Sequence, residues 1–240
     1  MRKVKLSVNI NKLATIRNSR GGNNPDILKY AKLIENYGAD GITVHPRPDQ
    51  RHIRDEDVMK LSELVRGEFN VEGYPDERFL QLVEKAKPAQ VTLVPDPPGV
   101  LTSNTGWDTI YNQRFLQEVV KRLHEGGMRV SLFLNPEPGL VESAASTGAE
   151  RIELYTESFA SHYMNSPQDS IQKYKETAIA AEKVGLGINA GHDLSLENLK
   201  FFAGNIPRLL EVSIGHALVC DALEYGMQNT VKLYLRQLED

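Results

Sequence analysis

Two histidines and one glutamate in this 240-residue chain sit where proton transfer is easily arranged. His45 ends the apolar run "GADGITVH", Glu72 lies at the end of "FNVEG", and His192 follows "LGINAG". An imidazole gives or takes a proton near neutral pH, and a carboxyl in partly dry surroundings is pushed toward the same range. Each residue also has a plainer reading: His45 as a strand cap, Glu72 as a partner for an arginine, His192 as an anion ligand with no chemical role.

Anion-binding signals accompany them. The strings "NAGHD" and "SIGHA" each set a glycine beside a histidine. A glycine lets the backbone come close to a ligand, and unpaired N–H groups at a helix start attract phosphate, so Gly215 and His216 are expected to hold one. Taken singly, either glycine would serve only a tight turn. A second basic group comes from Arg20 in "RNSRGGNNP" and from Arg47 and His52 in "HPRPDQRH". A guanidinium meets phosphate as a two-pronged fork. Two clusters fit one substrate charged at both ends, or two substrates. Arg51 and Arg54 read as solvated charge, and His124 and His162 as surface residues. The 95–107 stretch is long for a loop between a strand and a helix and reads as a lid, with Thr102 near its middle and Trp107 anchoring its far end. No His-x-His pair or cation cage in acidic residues is present, so a metal is not expected.

These residues need elements to bring them together. Eight β-rich runs are expected at 4–10, 41–45, 69–73, 90–95, 129–134, 151–156, 186–191 and 210–215, separated by segments with apolar residues at helical spacing. Ile27, Tyr30, Ala31 and Ile34 are one such stripe. Pro25, Asp55, the Pro75-Asp76 pair and Ser195 open helices, and glycines such as Gly38 and Gly127 close them. Alternation of this kind predicts a single α/β domain over residues 1–240, a closed (β/α)8 TIM barrel of parallel strands, ahead of an open doubly wound sheet. In a barrel the C-terminal strand ends share one rim, and the candidate residues fall there.

Composition narrows the partners. A formal net charge of -4 argues against nucleic acid, which calls for a basic surface. No run nears the roughly 20 apolar residues that span a bilayer, so no membrane is expected. Cys220 is the single cysteine, which excludes a disulfide framework. The short, alternating apolar stretch at the N-terminus is unlike a signal peptide, and the cytoplasm is the expected location.

In order along nearly the whole chain, "VNIN", "ATIRNSRG", "GADGITVH", "RPDQRHI", "NVE", "INAGHDL" and "SIGHALV" resemble the pyridoxine 5'-phosphate synthase family. The resemblance implies a barrel that condenses 3-amino-2-oxopropyl phosphate with 1-deoxy-D-xylulose 5-phosphate, using neither metal nor organic cofactor, as a homo-octamer. It implies His45 and Glu72 as bases and His192 as proton donor. Asn9, Arg20, Gly215 and His216 would bind the amino ketone phosphate, and Arg47, His52 and Thr102 the sugar phosphate. Asn11 and Lys12 stand where most members carry aspartate and histidine, and Asp193 where glycine is usual, so the substrate contacts at all three are open. Two other readings remain: another cofactor-free sugar-phosphate enzyme, such as an aldolase or isomerase, and a phosphate-binding barrel without turnover. No lysine sits at a late strand end to form the Schiff base of an aldolase.

Overall fold

A computed structural model of the chain describes residues 4–96 and 105–239. Its strands are β1 Lys5–Asn9, β2 Gly41–Val44, β3 Glu68–Gly73, β4 Gln90–Leu93, β5 Arg129–Leu134, β6 Arg151–Tyr155, β7 Gly187–Gly191 and β8 Leu209–Ile214. Each pairs in parallel with the next, and β8 pairs with β1, so the sheet closes into the expected (β/α)8 barrel. The register slips once, between Ile188 and Asn189 where β7 meets β8.

Local chemistry sets the helix boundaries. Asp76 accepts from the Phe79 N–H at 2.8 Å and starts helix Glu77–Ala86, whose Phe79, Leu80 and Val83 are buried. At Ile27–Asn36 the cap is Asp26, one residue beyond the expected proline, because its carboxylate takes the Lys29 N–H at 3.0 Å. At Asp55–Leu64, Asp57 reaches back to the Arg54 N–H at 2.9 Å, so Arg54 is the cap and Asp55 the first helical residue. Gly38 closes its helix at φ 110°, a backbone conformation a side chain would strain.

Barrel interiors are commonly filled by branched apolar side chains. This one is polar. Ser7, Thr43, Asn70, Gln90, Thr92, Ser131, Glu153, Asn189 and Glu211 are all buried. Thr92 of β4 donates to Glu153 of β6 at 3.5 Å, a bond between non-adjacent strands that must cross the interior. Beside it run Ser7 to Thr43 at 2.7 Å, Asn70 to Thr43 at 3.4 Å and Thr92 to Asn70 at 3.0 Å. The alternate residues, among them Leu6, Val8, Ile42, Val91, Leu132, Ile152 and Ile214, belong to the hydrophobic core. The apolar driving force therefore lies between sheet and helices, while hydrogen bonds fill the barrel.

Toward the N-terminal end of the strands the interior is ionic. Glu68 meets Lys5, Arg129 and Arg151, and Arg151 also reaches Glu211 at 3.5 Å and Asn189 at 3.2 Å. Burial would raise Glu68, but the hydrogen bond from Glu211 and the surrounding cations lower it. Glu211 is pushed well up, by burial first and then by the Glu68 charge and hydrogen bond, so it keeps its proton. No helix among the described residues is long and apolar enough to cross a membrane.

Candidate active site

The C-terminal ends of the strands surround a cavity of about 680 Å³, within the usual size range of small-molecule sites. Of the expected site residues, Asn9, Asn11, Lys12, His45, Arg47, His52, Glu72, His192, Asp193, Gly215 and His216 line it. They come from five strand ends and their loops.

Asn9, the last residue of β1, donates from Nδ2 to Glu72 Oε2 at 3.4 Å and accepts the Asn11 N–H at 3.0 Å. Asn11 opens helix Asn11–Asn18, and its Oδ1 accepts the His45 N–H at 2.9 Å, tying β2 to the first helix. His45 places Nδ1 3.8 Å from Glu72 Oε2. Burial, then the charges of Arg47, His52, Arg51 and Arg78, holds His45 well below the usual imidazole range, so it is neutral at pH 7. Burial raises Glu72 to about 8, with Arg47 opposing and Asp96 and Glu211 adding, so Glu72 is mostly protonated there. A neutral imidazole beside a protonated carboxyl is an acceptor next to a donor.

Arg47 is buried and donates to Asp96 at 3.0 Å. His52 accepts the Ile53 N–H on Nδ1 at 2.9 Å, which leaves its ring proton on Nε2. Burial, followed by Arg47 and Arg51, lowers His52 to about 4, so it is a neutral imidazole at pH 7. Its carbonyl accepts from Asn18 at 2.7 Å and from Arg17 at 3.1 Å. Arg17 is itself buried in a two-pronged pair with Asp57, at 2.7 and 2.8 Å. Helix Asn11–Asn18 thus fixes the part of the rim that carries His52.

Across the cavity, Gly215 follows β8 and His216 begins helix His216–Tyr225. A Cβ at Gly215 would sit 3.0 Å from the Asn9 Cβ, so a side chain there would press on the end of β1. The first N–H groups of that helix have no intrahelical acceptor and stand at the cavity wall. His192 follows β7 at φ 92°, with its ring edge-on to Tyr155 at 5.3 Å and its Nδ1 2.7 Å from Asp193 Oδ2.

Arg20 does not line the cavity. The helix contributes its N-terminal part, Asn11, Lys12 and Thr15, and ends at Asn18, with Arg20 beyond it on an exposed turn. Thr102 lies outside the described residues. Trp107, expected as an anchor, is buried, donates to the Leu93 carbonyl at 3.0 Å and stacks on Tyr74. Arg51, read from sequence as solvated charge, lines the cavity beside His52 and pairs with Asp49 at 3.6 Å.

Glu153, Phe133 and Ser213 also line the cavity and were not anticipated. Glu153 is the consequential one. Burial and then the neighbouring Glu72 raise its carboxyl to about 8. It sits mid-strand in "RIELY", and its signal was a glutamate between two apolar residues of a buried strand. Among the described residues no group of three or more His, Cys, Asp or Glu is placed to hold a metal.

With the Glu72 and Glu153 carboxyls raised to about 8, the cavity wall carries Lys12, Arg47 and Arg51 beside a further carboxyl, that of Asp193. Fold and site together define a (β/α)8 barrel enzyme site for acid–base chemistry on small phosphorylated molecules. Similarity narrows the class. Residues 6–240 match the family described as pyridoxal phosphate biosynthesis protein PdxJ. Relatives named pyridoxine 5'-phosphate synthase include one from Cytophaga hutchinsonii, 57% identical over 98% of this chain and 99% of that one, and one from Flavobacterium johnsoniae, 54% identical over the same shares. The chain belongs to this family. Among solved structures, a 3-keto-L-gulonate-6-phosphate decarboxylase from Vibrio cholerae is similar with a TM-score of 0.64 at 10% identity, over 98% of this chain and 97% of that one. A Mycobacterium tuberculosis tryptophan synthase gives 0.66 at 13%, over 100% and 94%. At such identities the likeness is one of fold.

Proposed function

We propose that this chain makes pyridoxine 5'-phosphate from 3-amino-2-oxopropyl phosphate and 1-deoxy-D-xylulose 5-phosphate, releasing inorganic phosphate and water. The observation that carries the reading is the convergence of His45, Glu72, His192 and the Gly215–His216 cradle on one cavity. Joining amine to ketone as an imine requires a proton delivered to the departing oxygen. Forming the carbon–carbon bond requires a proton taken from carbon. Several acids and bases around one held intermediate suit such a sequence.

In this assignment His45, neutral and partly shielded, takes the first proton. Glu72 begins as an acid, because its carboxyl is raised to about 8, and becomes a base once its proton has gone. Glu153 supplies a second held proton, and His192 donates to leaving oxygen. Asn9, Gly215 and His216 bind the amino ketone phosphate, while Arg47, His52, Lys12 and Asn11 take the sugar phosphate. Arg20 and Thr102 are assigned to the same two substrates on the resemblance alone. The working unit is one barrel domain in a cytoplasmic homo-oligomer, an octamer, free of metal and organic cofactor.

Supplying the purified protein with both substrates, while following product absorbance and phosphate release, tests the reading. Stoichiometric appearance of pyridoxine 5'-phosphate and phosphate is expected. Saturable binding with no product would replace it with a phosphate-binding barrel.

A further inference from the structure

Asp193 was expected to touch substrate, yet its carboxylate is turned to a neighbour in the rim. Oδ2 lies 2.7 Å from His192 Nδ1. The backbone beside it is held from two sides: the Asp193 N–H donates to Thr156 Oγ1 at 3.1 Å, and the Asp193 carbonyl accepts from Asn198 at 3.4 Å. Thr156 is fully buried and donates in turn to the Gly191 carbonyl at 2.5 Å, locking the end of β6 to the end of β7. His192 adopts a positive φ of 92°, which is uncommon for a residue with a side chain and persists only where the surroundings enforce it. Its ring is packed edge-on against Tyr155. Two successive side chains are therefore held in a fixed mutual orientation at the cavity wall.

We propose that Asp193 is a positioning residue that keeps a proton on Nδ1 of His192, so that the proton exchanged with substrate is always the one on Nε2. A neutral imidazole carries one ring proton, and a carboxylate accepting at Nδ1 places it there. Nε2 is then a lone pair, ready to take a proton and return it without any movement of the ring. When Nε2 is protonated, the same carboxylate faces the imidazolium. Titratable groups around His192 also include Tyr155 at the end of β6 and Glu153 within the barrel. The inference rests on the assignment of His192 as a proton-transfer group.

The test uses full-length enzyme as wild type, His192→Asn, Asp193→Ala and Asp193→Asn, with kcat and KM for both substrates and 15N spectra of histidine-labelled protein. Turnover of His192→Asn within about twofold of wild type would remove His192 from proton transfer, and the assignment beneath the inference with it. With that variant inactive, Asp193→Ala is expected to lower kcat at least about tenfold while KM stays within about twofold. Asp193→Asn should retain more turnover than Asp193→Ala, because its amide oxygen still accepts from Nδ1–H. The His192 ring proton should be on Nδ1 in wild type and in Asp193→Asn, and on Nε2 in Asp193→Ala. Wild-type turnover in Asp193→Ala overturns the proposal. So does an unchanged tautomer in that variant together with equal losses in both, which would leave the carboxylate shaping the loop only.

Discussion

Replacing Glu153 with glutamine should make the protein more stable and less active at once, and the stability gain should grow with pH. Glu153 is almost fully buried, and its carboxyl is raised from the ordinary 4.5 to about 8. The sign follows from proton counts. Between those two values the folded chain holds a proton that the unfolded chain has lost, so the stability present below the unfolded value drains away as pH climbs toward 8. Each pH unit in that window costs about 1.4 kcal/mol per group, so moving from about pH 5.5 to about pH 7.5 costs roughly 2.7 kcal/mol through Glu153 alone. Glutamine is neutral at every pH, keeps the shape and still accepts from Thr92. Denaturant unfolding of both proteins at the two pH values, at one protein concentration, reads the difference. The variant should gain about 2–3 kcal/mol on wild type between acid and neutral pH, with Glu72 still titrating in both. Turnover should fall about 100-fold, as for the loss of a positioned acid. Parallel pH dependences in the two proteins would refute the reasoning, since Glu153 would then titrate alike folded and unfolded.

Glu72→Gln should cut turnover by more than about tenfold while inorganic phosphate, titrated calorimetrically, binds nearly as before. The pH profile of kcat/KM should show an alkaline limb near 8 as the Glu72–Glu153 pair gives up its protons, and that limb should move in either glutamine variant. Gly215→Ala should press the new methyl on Asn9, 3.0 Å from its Cβ. Overpacking of this kind costs about 1–3 kcal/mol, so the variant should be less stable than wild type by that amount, read by denaturant unfolding.

The barrel was legible because its strand ends are marked twice, by β-rich runs and by the glycines and aspartates between them. All eight strands begin and end within two residues of the positions the pattern indicates. The rim followed from the rule that barrel chemistry gathers at C-terminal strand ends, which placed His45, Glu72 and His192 together although 147 positions separate the first from the last. What escaped was of a different kind. Glu153 lies one turn of pleat inside the rim, and a polar residue alternating with apolar ones reads equally well as a strand with a wet outer face. Arg20 lies on an exposed turn away from the cavity lining, and a glycine-rich basic loop carries no information about the length of the helix before it. Asp193 was placed in the right loop, but which neighbour its carboxylate chooses depends on the His192 backbone angle, which no local pattern announces.

The raised carboxyls of the site depend on what lies beneath them. Four glutamates share the barrel interior, burial acts to raise each of them, and only Glu68 ends below the ordinary range, because three cations and the hydrogen bond from Glu211 outweigh its burial. Lys5, Arg129 and Arg151 gather on Glu68 and lower it, although burial acts against them. Between that cluster and the rim runs a tier of Ser7, Thr43, Asn70 and Thr92, hydrogen-bonded to one another and neutral at every accessible pH. Thr92 offers Glu153 a hydrogen bond and no charge, and that bond lowers its carboxyl less than burial and Glu72 raise it. At the rim Arg47 does favour ionised Glu72, but Arg47 is bound to Asp96, whose charge acts the other way. The opposing influences, Arg47 at Glu72 and His192 with Thr92 at Glu153, are outweighed, and desolvation decides for both. A cation lodged in the neutral tier would lower both toward ordinary values and leave the cavity without held protons at pH 7. The polar but uncharged middle of the barrel thus keeps the raised carboxyls of the cavity free of a cation from below, although none of the four tier residues lines the cavity.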